Sequence, residues 1–75
     1  MIEIEVGSSI TVTPQVGNKF GLVVLEIVNA KLGVVRGLVV GHKTRKPTQG
    51  RGAYRLVNVR TAKAVHVLTE EELYA

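Results

Sequence analysis

A chain of 75 residues makes one small domain, residues 1–75, and folding at this size buries only about 60% of the surface an extended chain exposes. The absence of cysteine excludes disulfides and thiolate zinc sites, and 45% hydrophobic against 21% charged residues excludes the composition of a disordered chain. The longest apolar stretch, 20–28, is interrupted by Glu26 and reaches about half the length of a membrane helix, while the Ile2–Val6 start lacks a secretion signal; a cytoplasmic protein without membrane contact is expected.

The fourteen valines, with isoleucine and threonine, cluster in short runs bounded by Gly, Asn, Pro and Lys, the pattern of an all-β chain. Strands are expected at 2–6, 9–13, 20–29, 33–41, 54–60 and 63–68, the first two being joinable as one bent segment. Pro14 to Lys19 is a short, turn-rich connection. Asn29-Ala30-Lys31-Leu32-Gly33 suits a tight hairpin with a bulge, because its glycine can take positive φ. Gly41 to Ala53, with Pro47 and three further glycines at 41, 50 and 52, is a loop or irregular hairpin tip. Arg60 to Lys63 reads as a second hairpin turn. Thr69 and Glu72 have the spacing of a capping box, which predicts one terminal helical turn over 70–73.

Charge is distributed unevenly along these elements. Glu3, Glu5 and Glu26 precede residue 27, Glu70, Glu71 and Glu72 follow residue 69, and no acid lies between. That interval carries nine of the ten Lys and Arg residues, so a formal net charge of +4 conceals a local excess of nine. Such a field attracts polyanions.

Five or six short strands are too few for a two-sheet sandwich, and closing them into a small barrel covers the face that an open sheet would leave wet. An opening strand Ile10 to Thr13, an irregular loop, a long meander Phe20 to Gly41, and a last hairpin Tyr54 to Leu68 with a terminal turn resemble the SH3-like small barrels, a superfamily that includes Tudor, chromo-type and KOW-type modules. The resemblance is one of layout and implies a small barrel of five to six antiparallel strands with a short C-terminal helical turn. Aromatic residues are limited to Phe20, Tyr54 and Tyr74, too few for a polyproline groove or a methyl-lysine cage.

Catalysis is not expected. Without cysteine or aspartate, Ser8, Ser9, His42, His66 and the glutamates form no recognisable triad, and two histidines 24 positions apart without matching carboxylates make a poor zinc site. No phosphate loop or dinucleotide fingerprint is present, so no cofactor or metal is expected. His66, between Val65 and Val67, reads as a solvated strand histidine.

The remaining chemistry is that of the basic loop. Lys43, Arg45, Lys46 and Arg51, on a glycine-rich segment that backbone phosphates can approach closely, and Tyr54, Arg55 and Arg60 on the following strand form the candidate nucleic-acid surface. Tyr54 has two readings, core packing at a strand start or a ring on which a base stacks. The expectation is non-catalytic binding to duplex DNA or structured RNA through phosphates. The alternative is a structural or adaptor module of phage or plasmid origin. It draws on the apolar 20–40 hairpin, where Leu22 and Val24 project to one side and Val23, Leu25 and Ile27 to the other. A homodimer or protein partner would then cover Leu22, Val24 and Val40, unless bending at Gly33 and Gly37 turns both sets inward.

Overall fold

The computed structural model describes residues 4–47 and 53–74, with the side chain of Tyr74 outside that description. Five strands, β1 (Ser9–Thr13), β2 (Phe20–Asn29), β3 (Val34–Val40), β4 (Ala53–Asn58) and β5 (Ala64–Val67), precede one short helix, α1 (Glu70–Tyr74). They form a single antiparallel sheet in the order β4-β3-β2-β1-β5. The fold is all-β, as the valine-rich runs require.

Three expectations change. The sheet is curved but not closed: among the described residues β4 pairs only with β3, and β5 only with β1. Arg60 to Lys63 is consequently not a hairpin turn but a crossover from one sheet edge to the other. Asn58 nucleates it by accepting hydrogen bonds at Oδ1 from the backbone N–H of Arg60 (3.0 Å) and Thr61 (3.3 Å). The described part of the expected 2–6 strand, residues 4–6, is not extended into the sheet. There Ser8 Oγ accepts from Glu5 N–H at 3.0 Å and Gly7 turns with φ of 94°, while Ile4 still packs on the core.

The other connections follow their residue types. Gly33 adopts φ of 78°, its N–H donates to the Asn29 carbonyl, and Asn29 Oδ1 accepts from Leu32 N–H, closing the β2–β3 hairpin. Thr69 and Glu72 form the capping box: Glu72 Oε1 accepts from Thr69 N–H at 3.1 Å and Thr69 Oγ1 from Glu72 N–H at 3.3 Å.

The two-sided apolar pattern of β2 is resolved by bulges. Register slips between Val24 and Glu26 and again between Ile27 and Asn29, and one extra residue reverses which face the following side chains occupy. Leu22 and Val24 face inward with Ile10, Val12, Val35 and Val57 in the buried core. After the bulge Ile27 joins that inner set, opposite Val35, instead of following Val23 and Leu25 outward. Gly37, paired with Val24, lets the strands curl together, because a Cβ there would strike the Val23 backbone and the Leu22 side chain. Burying each of these Leu, Ile and Val side chains contributes about 1.5–3 kcal/mol.

Leu22, Val24 and Val40 are exposed by 0%, 0% and 1% within one chain. They offer nothing to a dimer partner, so the docking surface expected on them is excluded. Leu22 and Val24 belong to the inner core, whereas Val40 is covered on the outer face by the segment that follows it.

Candidate nucleic-acid interface

Segment Gly41–Pro47 turns back on the end of β3. Arg45 N–H donates to the Gly41 carbonyl, Gly41 N–H to the Lys46 carbonyl, and Pro47 bridges to Val40. This compact reversal places Arg45 at φ of 56°, a left-handed conformation that costs a non-glycine residue about 1 kcal/mol.

The side chain of Arg45 compensates. It lies across β2 at Gly21, where a Cβ would stand 2.5 Å from Arg45 Nη1 and 2.8 Å from Val40 Cγ2. Beyond Gly21 the guanidinium reaches β1: Nη2 donates to Ser9 Oγ and, at 3.1 Å, to the Ile10 carbonyl, and Nη1 to Thr11 Oγ1 at 3.4 Å. Burial lowers its pKa by desolvating the cation. Ser9 is itself buried at 7% exposure, and Val40 completes this outer-face cluster. Arg45 therefore holds the loop to the sheet. Its Nη1 and Nη2 bond to β1 while the buried Nε has no partner among the described residues, so its terminal nitrogens face the sheet rather than the exterior of the loop, unlike those of the phosphate contact expected of it.

Lys43 and Lys46, on either side of Arg45, are exposed. Arg51 lies outside the described residues. Tyr54, which opens the outer row of β4, is 62% exposed, so it is not core packing. It stands opposite Leu38 of β3 in the strand register, and the Arg36 guanidinium stands 5.9 Å from its ring centroid. Arg55 points to the other face, with its guanidinium 4.6 Å from the Phe20 ring centroid. It overlooks a cleft of about 240 Å³ whose apolar floor is Val12, Phe20 and Val57 and whose rim includes Gln15 and Asn58. Arg60 is exposed in the turn beyond the far end of β4, beside Gly33 and six residues from Tyr54. The structure thus brings Lys43, Lys46, Tyr54 and Arg55 to one end of the β3–β4 pair and sets Arg60 apart.

Ion pairing is sparse. Arg36 Nε meets Glu26 Oε1 at 3.4 Å, both exposed, and His66 Nε2 meets Glu72 Oε2 at 2.8 Å. The bond from His66, followed by that from the Thr69 backbone, lowers the Glu72 pKa. Among the described residues no carboxylate pairs with Lys31, Lys43, Lys46, Arg55, Arg60 or Lys63, and no group of three or more His, Asp or Glu converges as a metal site. No described helix is long and apolar enough to cross a membrane.

Sequence reasoning missed Arg45 as an anchor and Ser9 and Thr11 as its acceptors. The available signal was Gly21 inside a long β-branched strand, since a glycine there marks close approach by another group. No family model, curated protein or solved structure matched the chain.

Proposed function

We propose that this protein is a non-catalytic, cytoplasmic nucleic-acid-binding module that contacts backbone phosphates of duplex DNA or structured RNA. Lys43 and Lys46, with Arg51 from the same loop, supply the first contacts. Tyr54 offers an exposed ring beside them, Arg55 a guanidinium on the opposite face, and Arg60 a weaker contact from the crossover beyond the far end of β4. The open sheet order and terminal turn are compatible with an SH3-like layout, which is the fold family we assign to it.

One observation carries this reading: of the exposed cations in the acid-free interval 27–69, Arg36 meets Glu26, whereas Lys31, Lys43, Lys46, Arg55, Arg60 and Lys63 have no carboxylate partner among the described residues. A cation without an internal partner retains its attraction for phosphate, and releasing condensed counterions from the polyanion supplies much of the binding free energy. Fluorescence anisotropy of nuclease-treated protein with labelled duplex DNA, hairpin RNA and single-stranded DNA tests it. Binding that strengthens as salt is lowered, with little sequence preference, is expected. No binding to any of the three at low salt overturns the proposal.

A protein-interaction role gains support from a different surface than the buried one expected: Tyr54 and Leu56, two apart on the outer row of β4, are both more than half exposed.

A further inference from the structure

The cleft beneath Arg55 has a chemistry unlike that of the basic loop. Val12 and Val57, 1% and 8% exposed, form its floor with the half-buried Phe20 ring. The crossover supplies one wall at Thr61 and Ala62, and Gln15 Nε2 donates to the Thr61 carbonyl at 3.1 Å, which ties the β1–β2 turn to that wall. On the rim, Asn58 Oδ1 is committed to the N–H groups of Arg60 and Thr61, so its amide nitrogen is the part left to donate. Among the described residues Arg55 is the single charged group lining the cleft. Its guanidinium is held 4.6 Å from the Phe20 ring centroid, and no carboxylate among the described residues pairs with it.

We propose that this cleft binds a small monocarboxylate with a compact apolar body, the carboxylate on Arg55 and the body over Phe20, Val12 and Val57. Size, floor and charge each select this chemistry. The volume of about 240 Å³ lies below the roughly 300–1,000 Å³ that holds drug-sized ligands, which limits the occupant to one small molecule. The apolar floor returns no hydrogen bonds to a hydrophilic body, so a sugar or a free phosphate would lose hydration there without replacement. One unpaired guanidinium matches one negative charge, and its planar fork fits the two oxygens of a carboxylate.

This inference does not rest on nucleic-acid binding, since Lys43 and Lys46 lie outside the cleft and no nucleic acid enters its test. Amide-resolved NMR titration of the nuclease-treated full chain with phenylacetate is compared with titration by phenylacetamide, which lacks the charge, and by acetate, which lacks the ring. Saturable shifts at the amides of Phe20, Arg55, Val57 and Ala62 are expected, with a Kd of about 1 mM, the order that a small ligand and a charge pair open to water allow. Both controls should bind about tenfold more weakly or less. Arg55→Gln should lower phenylacetate binding to the level of its amide. Ala62→Phe, which narrows the cleft from the crossover and leaves the cation in place, should abolish the shifts. Circular dichroism establishes that each variant is folded. Absence of saturable shifts at the cleft amides overturns the proposal. So does binding of either control as tightly as phenylacetate, or phenylacetate binding that Arg55→Gln leaves unchanged. If Arg55→Gln does not fold, Ala62→Phe decides alone: unchanged phenylacetate binding overturns the proposal.

Discussion

Segment Gly41–Pro47 and strand β4 lie against the same end of β3, yet they invert the usual relation between polarity and burial. In the segment, a guanidinium is drawn out of water and bonded to Ser9, Thr11 and the Ile10 carbonyl. In the strand, Tyr54 and Leu56 stand 62% and 60% exposed. The difference lies in what the neighbouring backbone leaves room for. Gly21 opens a channel across β2 wide enough for the stem of an arginine, whose planar head can satisfy three acceptors at once. On the outer row of β4, an edge strand among the described residues, Tyr54 and Leu56 have no neighbour that buries them.

The largest effect separating the two regions is expected at Arg45. Arg45→Ala removes hydrogen bonds from a charged group and uncovers Val40, and should cost about 2 kcal/mol in urea unfolding. Lys43→Ala and Lys46→Ala should each stay within about 0.5 kcal/mol of wild type. Equal stability of all three variants would make Arg45 an ordinary loop cation. Gly21→Ala attacks the same contact from below. Its new methyl would displace the guanidinium and press on Val40, for an expected loss of about 1–2 kcal/mol by the same measurement. Combined with Arg45→Ala the loss should be less than additive, because the two residues share one contact.

On the β4 side, Tyr54→Ala should change stability by less than about 1 kcal/mol, the range of a cross-strand pair. It should weaken binding to single-stranded DNA about tenfold, the order expected for loss of one base stack, while leaving duplex binding nearly unchanged. A large stability loss would return Tyr54 to the core.

The smallest effect concerns the C-terminal turn. Glu72 has a lowered pKa because His66 and the Thr69 backbone donate to its carboxylate. A carboxyl whose folded pKa is depressed contributes its stabilisation above the ordinary carboxyl pKa and loses it as pH falls through the folded value. Fraying of α1 should therefore begin only below about pH 4, near the usual range of carboxyl titration. Amide exchange at Leu73, whose N–H donates to the Thr69 carbonyl, reads this directly. Glu72→Ala, which removes the acceptor for the Thr69 N–H, should fray the turn at neutral pH.

What the sequence made legible was local. β-branched runs located β1 to β5, Gly33 announced the hairpin that its positive φ allows, and the Thr69–Glu72 spacing produced the capping box it implies. What it concealed depended on contacts distant in the chain. Arg60 to Lys63 has the polarity of a hairpin turn, but β5 finds its partner in β1, more than fifty positions earlier, and no local signal encodes that pairing. Arg45 resembles its neighbours Lys43 and Lys46 in composition, and only the channel at Gly21, 24 positions away, distinguishes it. The bulge in β2 likewise turned Ile27 inward against simple alternation.

The central distinction, between an arginine that holds the loop and lysines that meet phosphate, is tested most directly by the salt dependence of duplex DNA binding. Each phosphate neutralised contributes about −0.9 to the slope of log K against log salt. Lys43→Ala/Lys46→Ala should flatten the slope by about 1.8. Arg45→Ala, measured where it remains folded, should leave the slope unchanged. A lysine double variant with the wild-type slope, or an Arg45→Ala slope reduced by a full contact, would contradict the assignment.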